Sequence, residues 1–166
     1  MDSISKARLA EVHPELSRRI HQLSDMLGFD IRITQGLRTY AQQDALYAQG
    51  RSTPGAVVTE AKGGYSMHCF GLAVDVAPIS NGVIDWQDKD ANWAAILAKA
   101  ITCGLAEGAE WRTFPDEPHL YPQEVPASPT DAMRSAMISG GLQAVWEEVL
   151  PTLPQQPLSV DQSTDE

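Results

Sequence analysis

The stretch SMHCFGLAVD, residues 66–75, places a histidine and an aspartate seven positions apart around a glycine in an otherwise apolar, strand-like run. On a straight strand, side chains an odd number of residues apart point to opposite faces. His68 and Asp75 therefore converge only if the chain bends between them, and Gly71 is the position that allows such a bend. Taken singly, each residue also fits a structural role, as a hydrogen-bonded core histidine or as an aspartate that caps a turn.

Helical and strand-like patterns surround this stretch. Apolar residues recur at helical spacing in three segments, and short runs with strand character lie between them. The predicted helices are 14–27, 39–49 and 90–103; the predicted strands are 29–35, 72–78 and 119–122, with the last expected at a sheet edge. Residues 50–65 contain repeated glycines and read as a surface loop. Few strands and segregated helices favour an α+β fold.

The C-terminal part of the sequence has a different pattern. Ser128 and Pro129 suit the start of a helix, whose apolar spacing continues across a break at Gly140 and Gly141. Three prolines and a polar end predict a disordered acidic tail over residues 151–166. We therefore expect a catalytic domain at 1–125, a helical extension at 126–150 and this tail.

Composition excludes several function classes. The 166-residue chain has 22 acidic and 12 basic residues, a formal charge of −10, and no basic cluster that would neutralise phosphates. Nucleic-acid binding is therefore not expected. No stretch approaches the length of an apolar membrane span, so membrane insertion is not expected either. Cys69 and Cys103 are predicted to be free thiols, and the N-terminus, which lacks an apolar signal region, predicts synthesis in the cytoplasm.

A metal site would need a third ligand beside the first pair. Zn²⁺ binds imidazole nitrogen and carboxylate oxygen, and a catalytic zinc site typically combines three protein ligands with one open position. We expect His13 and His21 at the surface, because they lie before a helix and on its charged side. His119 lies on a predicted strand in FPDEPHLY, with Asp116 three residues upstream. It is the candidate third ligand.

Three motifs together resemble a known family. SMHCFGLAVD fits the pattern S-x-H-x-x-G-x-A-x-D, WRTFPDEPH fits W-x-x-F-x-D-x-P-H, and GLRTYAQQDALY is similar to R-S/T-x-x-x-Q-x-x-L-Y. These motifs, in this order, resemble those of zinc peptidoglycan peptidases, which include L-alanyl-D-glutamate endopeptidases and D-alanyl-D-alanine carboxypeptidases. The resemblance implies one small domain in which helices pack on an antiparallel sheet, as in hedgehog domains and D-Ala-D-Ala peptidases.

The resemblance also implies roles for the residues of the motifs. It makes His68, Asp75 and His119 the ligands of one Zn²⁺ per chain. Asp116 would be the catalytic carboxylate, which exchanges a proton with water and the leaving amine. Arg38 would stabilise the developing oxyanion or a substrate carboxylate.

Other positions of the motifs are expected near the substrate, and alternatives stay open for them. Ser66, Gln43 and Trp111 match family positions that line the cleft. Gln43 could instead fasten a helix to the loop, and Trp111 could serve packing alone. Glu117 is the rival of its neighbour Asp116 for the catalytic role, but adjacent side chains of an extended chain point in opposite directions.

The implied function is hydrolysis of the stem peptide of bacterial peptidoglycan. The Asp-x-Pro-His form resembles the endopeptidase branch, which predicts cleavage of the L-Ala–D-Glu bond. We expect a monomer that acts on the cell wall after release, as an endolysin or a remodelling enzyme. The alternatives are a D-Ala-D-Ala carboxypeptidase or dipeptidase, and a non-catalytic zinc-containing binding module of the hedgehog type.

Overall fold

A computed structural model describes residues 1–86, 92–108 and 116–150 of the chain. Five α-helices, five strands and one 3-10 helix lie within these ranges. In chain order they are α1 Ser3–Leu9, α2 Pro14–Met26, β1 Ile31–Gln35, α3 Tyr40–Ala48, the 3-10 helix Met67–Phe70, β2 Val74–Ser80, β3 Val83–Ile84, α4 Asn92–Thr102, β4 Leu105–Gly108, β5 Asp116–Pro122 and α5 Asp131–Val149. The predicted tail, residues 151–166, lies outside the described residues.

The sheet is antiparallel, with strand order β1-β2-β5-β4, and β3 pairs with the end of β2. This confirms the α+β prediction. The prediction that the strand at 119–122 lies at an edge is wrong, because β5 pairs with β2 on one side and β4 on the other. Sequence reading missed β4 because its sequence, LAEG, contains no β-branched residue and no alternation of apolar and polar residues.

Local sequence signals set the helix ends well, with one exception. Pro14 begins α2, and Thr39 caps α3 through a reciprocal pair of hydrogen bonds with Gln42. The predicted break in the last helix is also present, because Gly141 has a positive φ of 68°. The prediction that Ser128 caps this helix is wrong: the capping side chain is that of Thr130, which accepts a hydrogen bond from the Met133 backbone N–H.

One hydrophobic cluster, here called the sheet core, packs α1, α2 and α4 against the sheet. It contains Leu9, Val12, Leu16, Ile20, Leu23, Ile31, Ile33, Val74, Val76, Ala77, Trp93, Ile96, Ala100, Cys103, Leu105 and Leu120. Ile101 on α4 does not belong to this core and is 61% exposed. His13, predicted at the surface, is buried: its Nδ1 accepts a hydrogen bond from the Glu15 N–H and caps α2. His21 is exposed, as predicted.

A second cluster, here called the turn core, joins the 3-10 helix to α5. It contains Met67, Cys69, Phe70, Leu72, Ala73, Tyr121, Val125, Met133 and Val145. Trp146 strengthens this contact, since its indole N–H donates a 2.7 Å hydrogen bond to the Phe70 carbonyl. Both predicted free thiols, Cys69 and Cys103, are unbridged and buried. Among the described helices, none combines the length and the apolar content that crossing a bilayer requires.

Candidate metal centre

The first candidate ligand, His68, lies on the 3-10 helix and not on a strand. The strand-like run was therefore predicted too long, because β2 begins only at Val74. Gly71 ends the 3-10 helix with a positive φ of 62°, so the predicted bend is present. His68 Nδ1 donates a 2.8 Å hydrogen bond to the Gly36 carbonyl. The other ring nitrogen, Nε2, consequently presents its lone pair to the site.

The other two candidate ligands lie side by side on neighbouring strands. Asp75 on β2 and His119 on β5 are directly paired in register, beside the pair Val74 and Leu120. Side chains alternate between the faces of a strand, so the apolar pair enters the sheet core while the polar pair lies on the opposite face. The sheet thus holds two ligands at fixed spacing, and the turn at Gly71 brings His68 to them.

The three ligand atoms form a small triangle. His68 Nε2 lies 3.0 Å from Asp75 Oδ1 and 3.2 Å from His119 Nδ1, and the third edge, from His119 Nδ1 to Asp75 Oδ1, is 3.3 Å. A tetrahedral zinc ion with bonds of about 2.0–2.1 Å holds its ligand atoms roughly 3.3 Å apart. The side chains of His68, Asp75 and His119 are only 2%, 14% and 5% exposed, respectively. This triangle therefore fits one metal ion.

The protonation states of two of these residues also suit a metal. Burial lowers the pKa of His68, although Asp75 opposes this, so the imidazole stays neutral near pH 7. Burial would raise the pKa of Asp75, but its contacts with His68 and His119 outweigh it and hold the carboxyl pKa below its usual range. A neutral imidazole and an ionised carboxylate are the forms that bind metal ions.

Asp116 lies beside the triangle, at the start of β5. Its Oδ2 is 4.0 Å from His119 Nδ1, and its side chain is 36% exposed. Residues three apart on a regular strand point to opposite faces, but here the register with β4 shifts between the pairs Glu107–Leu120 and Gly108–Asp116. This bulge turns Asp116 and His119 toward the same side. Burial, and then the charge of Asp75, raise the pKa of Asp116.

Gly108 makes this bulge possible. A Cβ atom at this position would lie 2.8 Å from the Asp116 carbonyl oxygen and 3.1 Å from the His119 Cβ. Two backbone segments therefore approach more closely than any other residue type would allow. The sequence carries no signal for this contribution of Gly108.

Arg38 contacts the triangle through Asp75. One of its terminal nitrogens donates a 2.8 Å hydrogen bond to Asp75 Oδ2, and the other donates a 3.0 Å hydrogen bond to Gln43 Oε1. The guanidinium therefore fixes the oxygen of Asp75 that does not belong to the triangle. Its predicted role toward an oxyanion or a substrate carboxylate stays a prediction.

The predicted substrate-binding residues are placed differently from one another. Gln43 is fully buried, and its amide N–H groups donate to the Ala61 carbonyl and to Thr59 Oγ1, so it does fasten α3 to the loop. Ser66 lines the cleft, directly before the 3-10 helix. Trp111 and the side chain of Glu117 lie outside the described residues. Direct substrate contacts of Ser66, Gln43 and Trp111 stay predictions.

An open cleft of about 820 Å³ surrounds the triangle and Asp116. One side comes from the loop that precedes the motif, including Val58, Thr59 and Tyr65. The cleft is also lined by Ala127, Ser128 and Pro129, here called the C-terminal wall. Sequence reading missed Tyr65 and this wall, since neither carries a pattern that distinguishes it from an ordinary loop.

Fold and site together define a class of protein. A small α+β domain that presents two imidazoles and a carboxylate at one point of an open cleft, with a second carboxylate beside them, is built like a metal-dependent hydrolase.

Comparison with known proteins identifies the family. The model of the phage L-alanyl-D-glutamate peptidase family matches residues 1–123, about three quarters of the chain, and the chain belongs to this family of enzymes. The peptidoglycan L-alanyl-D-glutamate endopeptidase CwlK of Bacillus subtilis is 36% identical over 122 residues, which cover 67% of this chain and 73% of CwlK. The L-alanyl-D-glutamate peptidase of Escherichia phage T5 is 36% identical over 117 residues, covering 68% of this chain and 81% of the phage protein.

Solved structures agree with this family assignment. The Serratia marcescens L-Ala D-Glu endopeptidase ChiX superposes with a TM-score of 0.52 at 27% identity, covering 73% of this chain and 87% of ChiX. The LD-carboxypeptidase LdcB superposes with a TM-score of 0.53 at 25% identity, covering 68% of this chain and 67% of that structure. The predicted fold, a helix-packed antiparallel sheet of the peptidoglycan peptidase type, is thereby confirmed.

Proposed function

We propose that this protein is a zinc-dependent endopeptidase that hydrolyses the L-Ala–D-Glu bond in the stem peptide of bacterial peptidoglycan. The observation that carries the proposal is the triangle of His68, Asp75 and His119, with edges of 3.0–3.3 Å, at the floor of an open cleft beside Asp116. The choice of bond is supported by the names of CwlK and of the phage T5 relative.

The residues of the triangle would hold the zinc ion, and Arg38 would keep Asp75 oriented through its 2.8 Å hydrogen bond. When bound, zinc supplies a Lewis acid that polarises a carbonyl and acidifies water. The Gly36 carbonyl fixes the His68 ring in the tautomer that leaves Nε2 free to ligate.

Asp116 is the residue that moves the proton. Its carboxylate lies within 4.0 Å of a ligand nitrogen and reaches the cleft, because about a third of the side chain is exposed. Asp116 accepts a proton from the attacking water and donates it to the amine that leaves when the peptide bond breaks. A purely structural metal site needs no such carboxylate, which argues against a hedgehog-type binding module.

An L,D-carboxypeptidase is the second candidate, because LdcB shares the fold. Mass spectrometry of purified muropeptides after digestion distinguishes the two functions. An endopeptidase separates L-alanine from a released peptide that begins with D-glutamate, and a chelator abolishes this product. Release of a terminal D-alanine alone would establish the carboxypeptidase, whereas zinc-dependent binding without any new product would establish a binding module.

We also propose that the protein works as a monomer on the cell wall after release from the cell that makes it. The phage relatives support a lytic role. Light scattering after size exclusion tests the oligomeric state. Turbidity of purified cell walls mixed with the protein tests the lytic role, and walls that stay intact while soluble muropeptides are cut would contradict it.

A further inference from the structure

The cleft includes residues beyond the part of the chain that matches the family. The match ends at residue 123, whereas the C-terminal wall, Ala127, Ser128 and Pro129, lies beyond it and directly before α5. The segment is held from both sides, because Val125 before it and Met133 after it are buried in the turn core, together with neighbours of His68. Part of the surface that faces the substrate is therefore supplied by the C-terminal extension.

Arg134 on α5 connects this wall to Tyr65 in the loop before the 3-10 helix. Its guanidinium carbon lies 4.4 Å from the centre of the Tyr65 ring. The same guanidinium donates to the Pro129 carbonyl at 3.0 Å and to the Gly64 carbonyl at 3.4 Å. One side chain thus contacts the ring of Tyr65, the backbone before it and the C-terminal wall.

Tyr65 contributes little to the core, because its side chain is 57% exposed. It lines the cleft and lies three residues before His68, so their Cα atoms are at most about 11 Å apart. An aromatic ring fixed at the rim of a cleft is a contact surface that loses little conformational freedom when a ligand binds. Because one extended residue spans about 3.3–3.6 Å, the ring can reach stem residues one to three positions from the cleaved bond.

We propose that Tyr65 and the C-terminal wall form a peptide-binding rim for the stem peptide, and that Arg134 is the positioning residue that holds this rim in place. The inference rests on the proposed function and assigns part of substrate recognition to residues 127–134. The inference predicts that changes in the rim raise KM and leave the metal content and kcat nearly unchanged, since the rim lies beside the triangle and not in it.

Steady-state kinetics on one soluble muropeptide test the inference. Tyr65→Ala should raise KM about 3- to 10-fold, as loss of an aromatic contact does, with kcat within about twofold and one zinc per chain retained. Arg134→Met should raise KM about 2- to 5-fold, as loss of a cation beside an aromatic ring does. Arg134→Lys keeps the charge and should recover part of the loss. The double variant should raise KM by less than the product of the two single effects, because Arg134 acts partly through Tyr65.

Arg18→Met is the matched control. Arg18 makes an i,i+3 ion pair with Glu15 on α2, as Arg134 does with Asp131 on α5, but it does not line the cleft. The KM of Arg18→Met should equal that of the parent protein.

The outcomes separate the two proposals. A parent protein that does not cut the L-Ala–D-Glu bond overturns the proposed function, and the inference falls with it. An active parent with an unchanged KM in Tyr65→Ala overturns the inference alone. Additive effects of Tyr65→Ala and Arg134→Met overturn the positioning role. Should Arg134→Met fail to fold, Tyr65→Ala and Arg134→Lys decide, because the first residue is exposed and the second change keeps the cation.

Discussion

The sheet core and the metal triangle lie on opposite faces of the same two strands, β2 and β5. On β5, Leu120 belongs to the sheet core, whereas Tyr121 belongs to the turn core and His119 to the metal triangle. On β2, Val74 and Val76 face the sheet core, and Asp75 between them faces the site. One face of the sheet holds the fold together, and the other face carries the chemistry. Replacement of one residue on these strands should therefore affect activity, and replacement of its neighbour should affect stability.

The largest expected effect comes from the neighbours His119 and Leu120. His119→Ala should abolish activity and remove the metal, with a loss of affinity beyond the roughly 10–100-fold that a changed outer partner costs. The fold should persist, because the sheet core is untouched. Leu120→Ala should instead destabilise the protein by about 2–5 kcal/mol while the folded protein still binds zinc. Elemental analysis and chemical denaturation measure both, and metal loss in Leu120→Ala at full folding would break the comparison.

The next effect separates proton transfer from metal binding on the same face. Asp116→Asn keeps the shape and the three ligands but cannot accept a proton, so turnover of muropeptides should fall at least about 100-fold with zinc retained. Glu117→Gln should stay within about threefold of the parent, because adjacent side chains of an extended chain point in opposite directions and we therefore expect its charge to act on the site only through solvent screening. If Glu117→Gln were inactive and Asp116→Asn active, the catalytic carboxylate would be Glu117.

Sequence patterns predicted the elements that form the sheet core better than they predicted the geometry of the metal site. The apolar periodicity of α2, the proline at its start and the capping residue Thr39 are local signals, and the helices predicted at 14–27 and 39–49 are both present. The candidate ligands were also found, but through motif spacing and not through geometry. His13 shows the limit of local reading, since its charged sequence neighbours gave no sign that Gly71 and Trp146 would cover it.

The parts that sequence reading missed depend on contacts between distant residues. The bulge that turns Asp116 toward His119 requires a glycine on β4, a strand with no pattern of its own. The C-terminal wall reaches the cleft because α5 packs on the 3-10 helix, more than 60 residues earlier in the chain. No periodicity within one segment contains that information, because it depends on which two surfaces meet.

A comparison of two buried apolar side chains, one from each core, sharpens the difference between the cores. Met133 in the turn core and Leu16 in the sheet core are both fully buried, so replacement of either by alanine should cost about 2–5 kcal/mol. Met133→Ala should also weaken zinc binding, because the turn core contains Met67 and Cys69 on either side of His68. Leu16→Ala should not. Zinc titration of the folded variants measures this, and equal affinities would show that the turn core supports stability alone.

The smallest expected effect concerns the ion pairs that join α2 to the segment after β5. Arg19 on α2 donates to Glu15 on the same helix and to Glu124, just after β5. Hydrogen bonds from Arg18, and then from Arg19, outweigh burial and hold the pKa of Glu15 at about 2, below its ordinary value of 4.5. The unfolded chain therefore takes up this proton first as the pH falls.

The contribution of Glu15 to stability should consequently be complete above about pH 4.5 and be lost as the pH falls toward 2. Metal-free protein is the right sample, because acid also protonates zinc ligands. The parent should melt at a higher temperature than Glu15→Gln at pH 6, and this advantage should shrink steadily below pH 4.5. Glu148→Gln, at an exposed position of α5, should follow the parent at every pH. An advantage that stayed constant down to pH 2 would mean that Glu15 stabilises α2 through packing and not through its charge.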